Sequence, residues 1–271
     1  MRARGNGGVP LPLLVPAALA VAFLVLPLAG LVVRAPWSTI GPQLAQQEVG
    51  QALRLSLLSA TLATGVSLLL GVPLAWVLAR SRIRGRSVLR ALVTVPLVLP
   101  PVVGGVALFL VIGRTGILGR PLYEHLGVTV PFTTAAVVIA ETFVAMPFLV
   151  ISVEGALRAA DARFEDAAAT LGADRWTTFR RVTLPLVAPG IAAGAVLCWA
   201  RALGEFGATI TFAGNFPGTT QTMPLAVYLA LQRDPEAAIV LSLVLLAVSL
   251  GTLLLLRDRW LGRGPGQGVA A

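Results

Sequence analysis

The stretch Leu11-Pro-Leu-Leu-Val-Pro-Ala-Ala-Leu-Ala-Val-Ala-Phe-Leu-Val-Leu-Pro-Leu-Ala-Gly-Leu-Val-Val33 contains no charged side chain. A helix needs roughly 20 apolar residues to cross the hydrocarbon core of a bilayer, and in that solvent it must satisfy its backbone groups internally. The stretch is therefore expected to form a transmembrane helix. Similar runs follow at about 53–78, 88–112, 132–153, 186–212 and 237–255. Arg2 and Arg4 precede the first run and raise the alternative of a cleaved signal peptide. That run is too long for a signal peptide and lacks a clear small-x-small cleavage site. The expected fold class is an all-α membrane protein of six transmembrane helices, with residues 1–271 as one membrane domain and a cytoplasmic loop at 154–185.

Composition agrees with a lipid solvent. Apolar residues make up 56% of the 271 and charged residues 12%, against about a quarter charged in soluble domains. The 28 Gly and 19 Pro fall largely within or beside apolar runs, where membrane helices tolerate them. The net charge of +9 comes from arginine alone, because the chain has no lysine. These arginines sit between apolar runs without interleaved aromatics, which argues against nucleic acid. A GxxxxGK[ST] phosphate loop cannot be built without lysine, so ATP would have to be hydrolysed on another subunit. One cysteine, Cys198, and one histidine, His125, far apart in sequence, give neither an internal disulfide nor a recognisable metal cluster. No cofactor and no enzymatic chemistry are expected.

Arginine also sets the orientation, since cytoplasmic loops near span ends retain positive charge. With the N-terminus inside, Arg2, Arg4, the Arg80 to Arg90 cluster, Arg158, Arg163, Arg175, Arg180, Arg181, Arg257, Arg259 and Arg263 are cytoplasmic. Arg34, Arg54, Arg114, Arg120 and Arg233 fall outside. Both termini are thus expected in the cytoplasm of a multi-pass protein of the inner membrane. The Arg80 to Arg90 run reads most simply as a topology anchor near anionic lipid.

Two connections exceed simple linkers. The external segment Ala213-Gly-Asn-Phe-Pro-Gly-Thr-Thr-Gln-Thr-Met-Pro224 is rich in turn formers and leads into a short apolar helix near Leu225 to Leu231. The cytoplasmic segment from Glu154 to Pro185 holds five of the twelve acids. Within it Phe164, Ala167, Ala168 and Leu171 share one helical face. Asp161 is placed to cap the start of that helix and Gly172 its end. A second short helix is expected to begin near Asp174 and to stop before Pro185. Such a hairpin could lie on lipid headgroups, but the paired alanines suit close docking into a protein groove better.

The spacing Asp166-Ala167-Ala168, Gly172, Val182, Leu184-Pro185 resembles the EAA loop of binding-protein-dependent ABC importer permeases, with Glu165 just before it. Asp stands where that family has its first Glu, and Val where it usually has Ile. The resemblance implies a type I ABC importer permease fold. It also implies that these residues couple the chain to a separate ATP-hydrolysing subunit. Two copies of that subunit would serve a dimer of permease chains, expected to be a homodimer, and an extracytoplasmic oxyanion-binding protein would supply cargo. Val95 to Gly105, Gly113 to Gly119, Ala200 to Ala208 and Ala213 to Tyr228 are similar to molybdate permeases, with sulfate and tungstate permeases sharing much of the pattern. Molybdate, or a related tetrahedral oxyanion, is the implied cargo, moved by alternating access.

Arg201 and Glu205 stand four residues apart in the fifth run and so on one helix face, where they can neutralise each other. Charges inside a membrane usually face a bundle interior or an aqueous path, so the pair either pins the helix or borders the path of the anion. Glu141 reads as a packing partner, since a free carboxylate would repel an anion. Pro96, Pro100, Pro101, Gly104 and Gly105 interrupt the third run, and broken helices line cavities or pack on neighbours. Pro100 and Gly104 join Arg201 and Glu205 as candidates for the translocation path. The rival reading is a secondary transporter using Glu141 or Glu205 as a proton site.

Overall fold

A computed structural model describes residues 11–81 and 83–261. Arg2, Arg4, Arg82 and Arg263 lie outside the described residues. The chain forms α1 (Leu11–Val33), α2 (Ile40–Leu44), α3 (Gln47–Arg80), α4 (Arg86–Val98), α5 (Pro101–Ile112), α6 (Gly119–Leu126) and α7 (Thr134–Ala159). It continues through α8 (Arg163–Thr170), α9 (Arg175–Thr178), a π-helical turn (Phe179–Thr183), α10 (Leu184–Leu203), α11 (Gly207–Phe212), α12 (Met223–Arg233) and α13 (Pro235–Leu261). No strand occurs among the described residues.

The core forms around α7, whose apolar window is 56% buried, whereas that of α1 is 0% buried. Lipid is as apolar as leucine, so these helices gain stability from close packing, which small residues permit. Gly71 of α3 lies where a Cβ would come within 3.2 Å of Leu149 and Val150 of α7. Gly190 and Gly194 of α10 lie closer still, where a Cβ would come within 2.3 Å of Ala156 and 3.0 Å of Leu149. Ala60, Ala63, Ala75, Leu149, Val153 and Val187 therefore close into one cluster. Around its margin Trp199 Nε1 donates to Thr61 Oγ1 at 3.2 Å.

The third apolar run is not one straight span. The chain bends by 116° between α4 and α5 across Leu99 and Pro100, because Pro100 and Pro101 lack backbone donors and hold Leu99 extended. Leu89 and Val93 of α4 pack on the α7 cluster that includes Val153 and Leu157, while Leu108 and Ile112 of α5 pack on the one formed by Ala136, Val137 and Ala140. The broken pair thus advances along α7 from its C-terminal to its N-terminal half, as a crossing segment does. Counted as one broken span, the pair brings the candidate spans among the described residues to six.

The fifth run is also broken. α10 ends at Leu203, Gly204 to Phe206 are non-helical, and α11 follows. α11 packs so closely on α5 that a Cβ on Gly105 would stand 2.7 Å from the Ala208 carbonyl. At the other end, the helix expected to stop before Pro185 runs on: Arg175–Leu203 is one continuous helical stretch of 29 residues. The wide π turn, an element common at functional sites, precedes Pro185 and leaves it in the first turn of α10, where no backbone donor is required.

Candidate functional site

The segment between α7 and α10 is built from local signals. Asp161 Oδ1 accepts from the Arg163 amide at 3.0 Å, capping α8 from one residue before its N-cap Ala162. At the other end Gly172 adopts φ +83°. The Ala173 amide reaches the Ala168 carbonyl and the Gly172 amide the Ala169 carbonyl, both at 3.0 Å. This double bond pattern is a Schellman cap and favours glycine at the left-handed position. Asp174 then caps α9, its Oδ1 accepting from the Thr177 amide at 2.8 Å. The side-chain and backbone hydrogen bonds from Thr177 hold the Asp174 carboxyl below the usual aspartate range.

α8 divides the expected coupling residues into two sets. Asp166 and Ala167 are exposed, Ala168 is half-buried, and the large apolar neighbours Phe164 and Leu171 are 57% and 89% exposed. Such a face is unusual on a short helix outside the bilayer unless something covers it. Glu165 points the other way: its Oε1 lies 3.2 Å from Arg80 Nη2 and accepts from Thr183 Oγ1 at 3.0 Å. Val182 sits half-buried in the π turn, and Leu184 and Pro185 open α10. The resemblance that marked all these positions could not separate outward from inward residues. Arg80 as a partner of Glu165 was missed, and its only signal was a cation at the end of an apolar run.

Behind this segment Phe179 meets Trp76 edge-on and stacks on Trp176, with ring centroids 6.3 Å and 5.8 Å away. Alongside it, Glu154 receives both Arg90 at 2.6 Å and Arg158 at 2.8 Å. Part of the arginine run read as a lipid anchor is thus engaged inside the fold.

Within the membrane, Arg201 Nη2 stands 2.6 Å from Glu205 Oε2. The pair does not lie on one helix, because Glu205 falls in the break after α10. Its Oε1 accepts from the Ala208 amide at 2.8 Å, so the same carboxylate closes the N-terminus of α11. Negative charge there is favoured by the helix dipole. Glu141 is 1% exposed and accepts from Ser59 Oγ at 2.8 Å, tying α7 to α3. Gly104 is buried where a Cβ would meet Phe143 at 3.0 Å, and Pro100 marks the α4–α5 bend. No group of His, Cys, Asp and Glu side chains suited to a metal occurs among the described residues.

At the loop before α12, Thr134 Oγ1 donates to the Thr219 carbonyl and the Met223 amide to Ser56 Oγ, at 2.9 and 2.7 Å. These bonds fix the loop that feeds α12 against α7 and α3.

Residues 71–265 match the family described as binding-protein-dependent transport system inner membrane component. The chain is 50% identical over 234 residues to the molybdenum transport system permease protein ModB of Mycobacterium tuberculosis, covering 86% of this chain and 88% of that one. It is 36% identical over 231 residues to the sulfate transport system permease protein CysT of Escherichia coli, covering 84% and 83%. Among solved structures, a bacterial alginate ABC transporter in complex with a pentasaccharide-bound periplasmic protein has a chain of the same fold. The two superpose with a TM-score of 0.68 at 19% identity, over 92% of this chain and 94% of that one.

Proposed function

The chain belongs to the family of binding-protein-dependent transport system inner membrane components, and on that premise we propose that it carries molybdate inward as the permease subunit of an ATP-driven importer. It is a transport subunit rather than an enzyme. The observation that carries the coupling half of this reading is the outward face of α8, where Phe164, Ala167 and Leu171 are exposed beside Asp166. A separate ATPase would seat that face, two copies serving two permease chains, and an extracytoplasmic binding protein would deliver the anion to the side of Thr219. Closure of the ATPases would then switch the pair between outward and inward access. Both termini would lie in the cytoplasm.

Molybdate is preferred to sulfate because the relative named for molybdenum is the more similar, at 50% against 36% identity. The path of the anion would pass near Arg201, whose side chain keeps 27% of its surface exposed although it is paired with Glu205. The test is uptake of molybdate, tungstate and sulfate by cells lacking their own permease, with and without this chain. Molybdate uptake that appears only with the chain, and exceeds sulfate uptake, supports the reading. Equal uptake in both strains refutes it.

A further inference from the structure

α8 has no buried residue of its own. A push on its outer face would be absorbed by the connections at Asp161 and Gly172 unless a side chain ties the helix to the spans. Glu165 supplies that tie. Its Oε1 is shared between Arg80, the last residue of α3, and Thr183, the last residue of the π turn before α10. The same Arg80 Nη2 donates to the Ala160 carbonyl just beyond α7 at 3.4 Å. Thr183 is 2% exposed, and the side chains of Arg80 and Glu165 keep only 19% and 22% of their surface in solvent. One carboxylate oxygen therefore sits at the meeting point of α3, α7, α8 and the lead into α10, beside a cleft of about 700 Å³.

From this geometry we infer that Glu165, Arg80 and Thr183 form the tether that transmits displacement of α8 to the membrane spans. They are positioning residues that convert ATPase movement into opening of the spans, and they do not contact the ATPase. The π turn between Thr183 and α9 suits this role, because irregular helical bonding is where a rod yields. The inference rests on the importer reading above.

The test uses the full permease with the ATPase that copurifies with it, reconstituted in liposomes with its binding protein, and measures molybdate taken up per ATP hydrolysed. Glu165→Gln should copurify with the ATPase as the native chain does, yet show a ratio lower by roughly ten-fold, the scale of one charge-assisted hydrogen bond. Thr183→Val, which keeps the shape and removes the donor, should lower it less. The exchange Glu165→Arg with Arg80→Glu should recover part of the loss because it restores the ion pair, while the lowered ratio at native ATPase association separates a tether from a structural defect. A Glu165→Gln variant with the native ratio overturns the inference and leaves the importer reading intact. So does one that no longer binds the ATPase, because Glu165 would then be a docking contact. Failure of the native chain itself to bind an ATPase or to transport overturns the importer reading instead.

Discussion

Gly172 is the residue at which backbone geometry and the expected function meet. At φ +83° it has no atom within 4 Å of the position a Cβ would take, so the effect of a side chain there is backbone strain alone. A β-branched residue should cost about 1–2 kcal/mol in that conformation. Gly172→Val should therefore insert into the membrane normally but lose ATPase association and uptake, whereas Gly172→Asn, which tolerates the left-handed region, should keep most of both. Copurification and uptake assays read the difference. Bulk is best introduced at exposed Ala167: Ala167→Trp should block docking while α8 stays helical. Asp174 makes a pH prediction. Its pKa is lowered by folding, so its contribution to the α9 cap is present above the unfolded value, near 3.9, and disappears as pH falls through the lower folded value. Protection of the Thr177 amide, corrected for intrinsic exchange, should hold through neutral pH and fall only in that acid range. In Asp174→Ala that protection should be low throughout.

At the scale of elements, two helix junctions should be sensitive to very small changes. Gly105→Ala would set a Cβ 2.7 Å from the Ala208 carbonyl, a backbone atom that cannot rotate away, and should separate α5 from α11. Gly65→Ala meets no atom within 4 Å and should stabilise α3 by up to about 1 kcal/mol. Thermal unfolding in detergent should move in opposite directions for the two. Such junctions also mark where the sequence was legible. α1 matches its apolar run from end to end, and the glycine and aspartate caps of α8 and α9 are found where local chemistry places them. Prolines announced an interruption near Pro100, but whether the chain bends slightly or by 116° depends on what α5 packs against. The break after Leu203 carries only Gly204 as a local signal. It is held open by Glu205 bonding to Arg201 and to Ala208. Pro185 misled for a related reason: a proline stops a helix unless an irregular turn precedes it.

For the molecule as a whole, the proposed orientation puts the arginine-rich connections in the cytoplasm and the loop before α12 outside. Cysteines introduced at Arg84 and at Gly218 should react with impermeant reagents from opposite sides of the membrane, Gly218 from outside. The importer account also assigns the buried carboxylates Glu141 and Glu205 to holding helices together, through Ser59 and through Arg201 and Ala208, rather than to carrying protons. The direct measurement is molybdate uptake into proteoliposomes containing the permease, its ATPase and its binding protein, with ATP hydrolysis and the proton gradient controlled separately. Uptake that requires ATP, is abolished by vanadate and survives a protonophore is the result this account predicts. Uptake that proceeds without ATP and collapses with the proton gradient would contradict it.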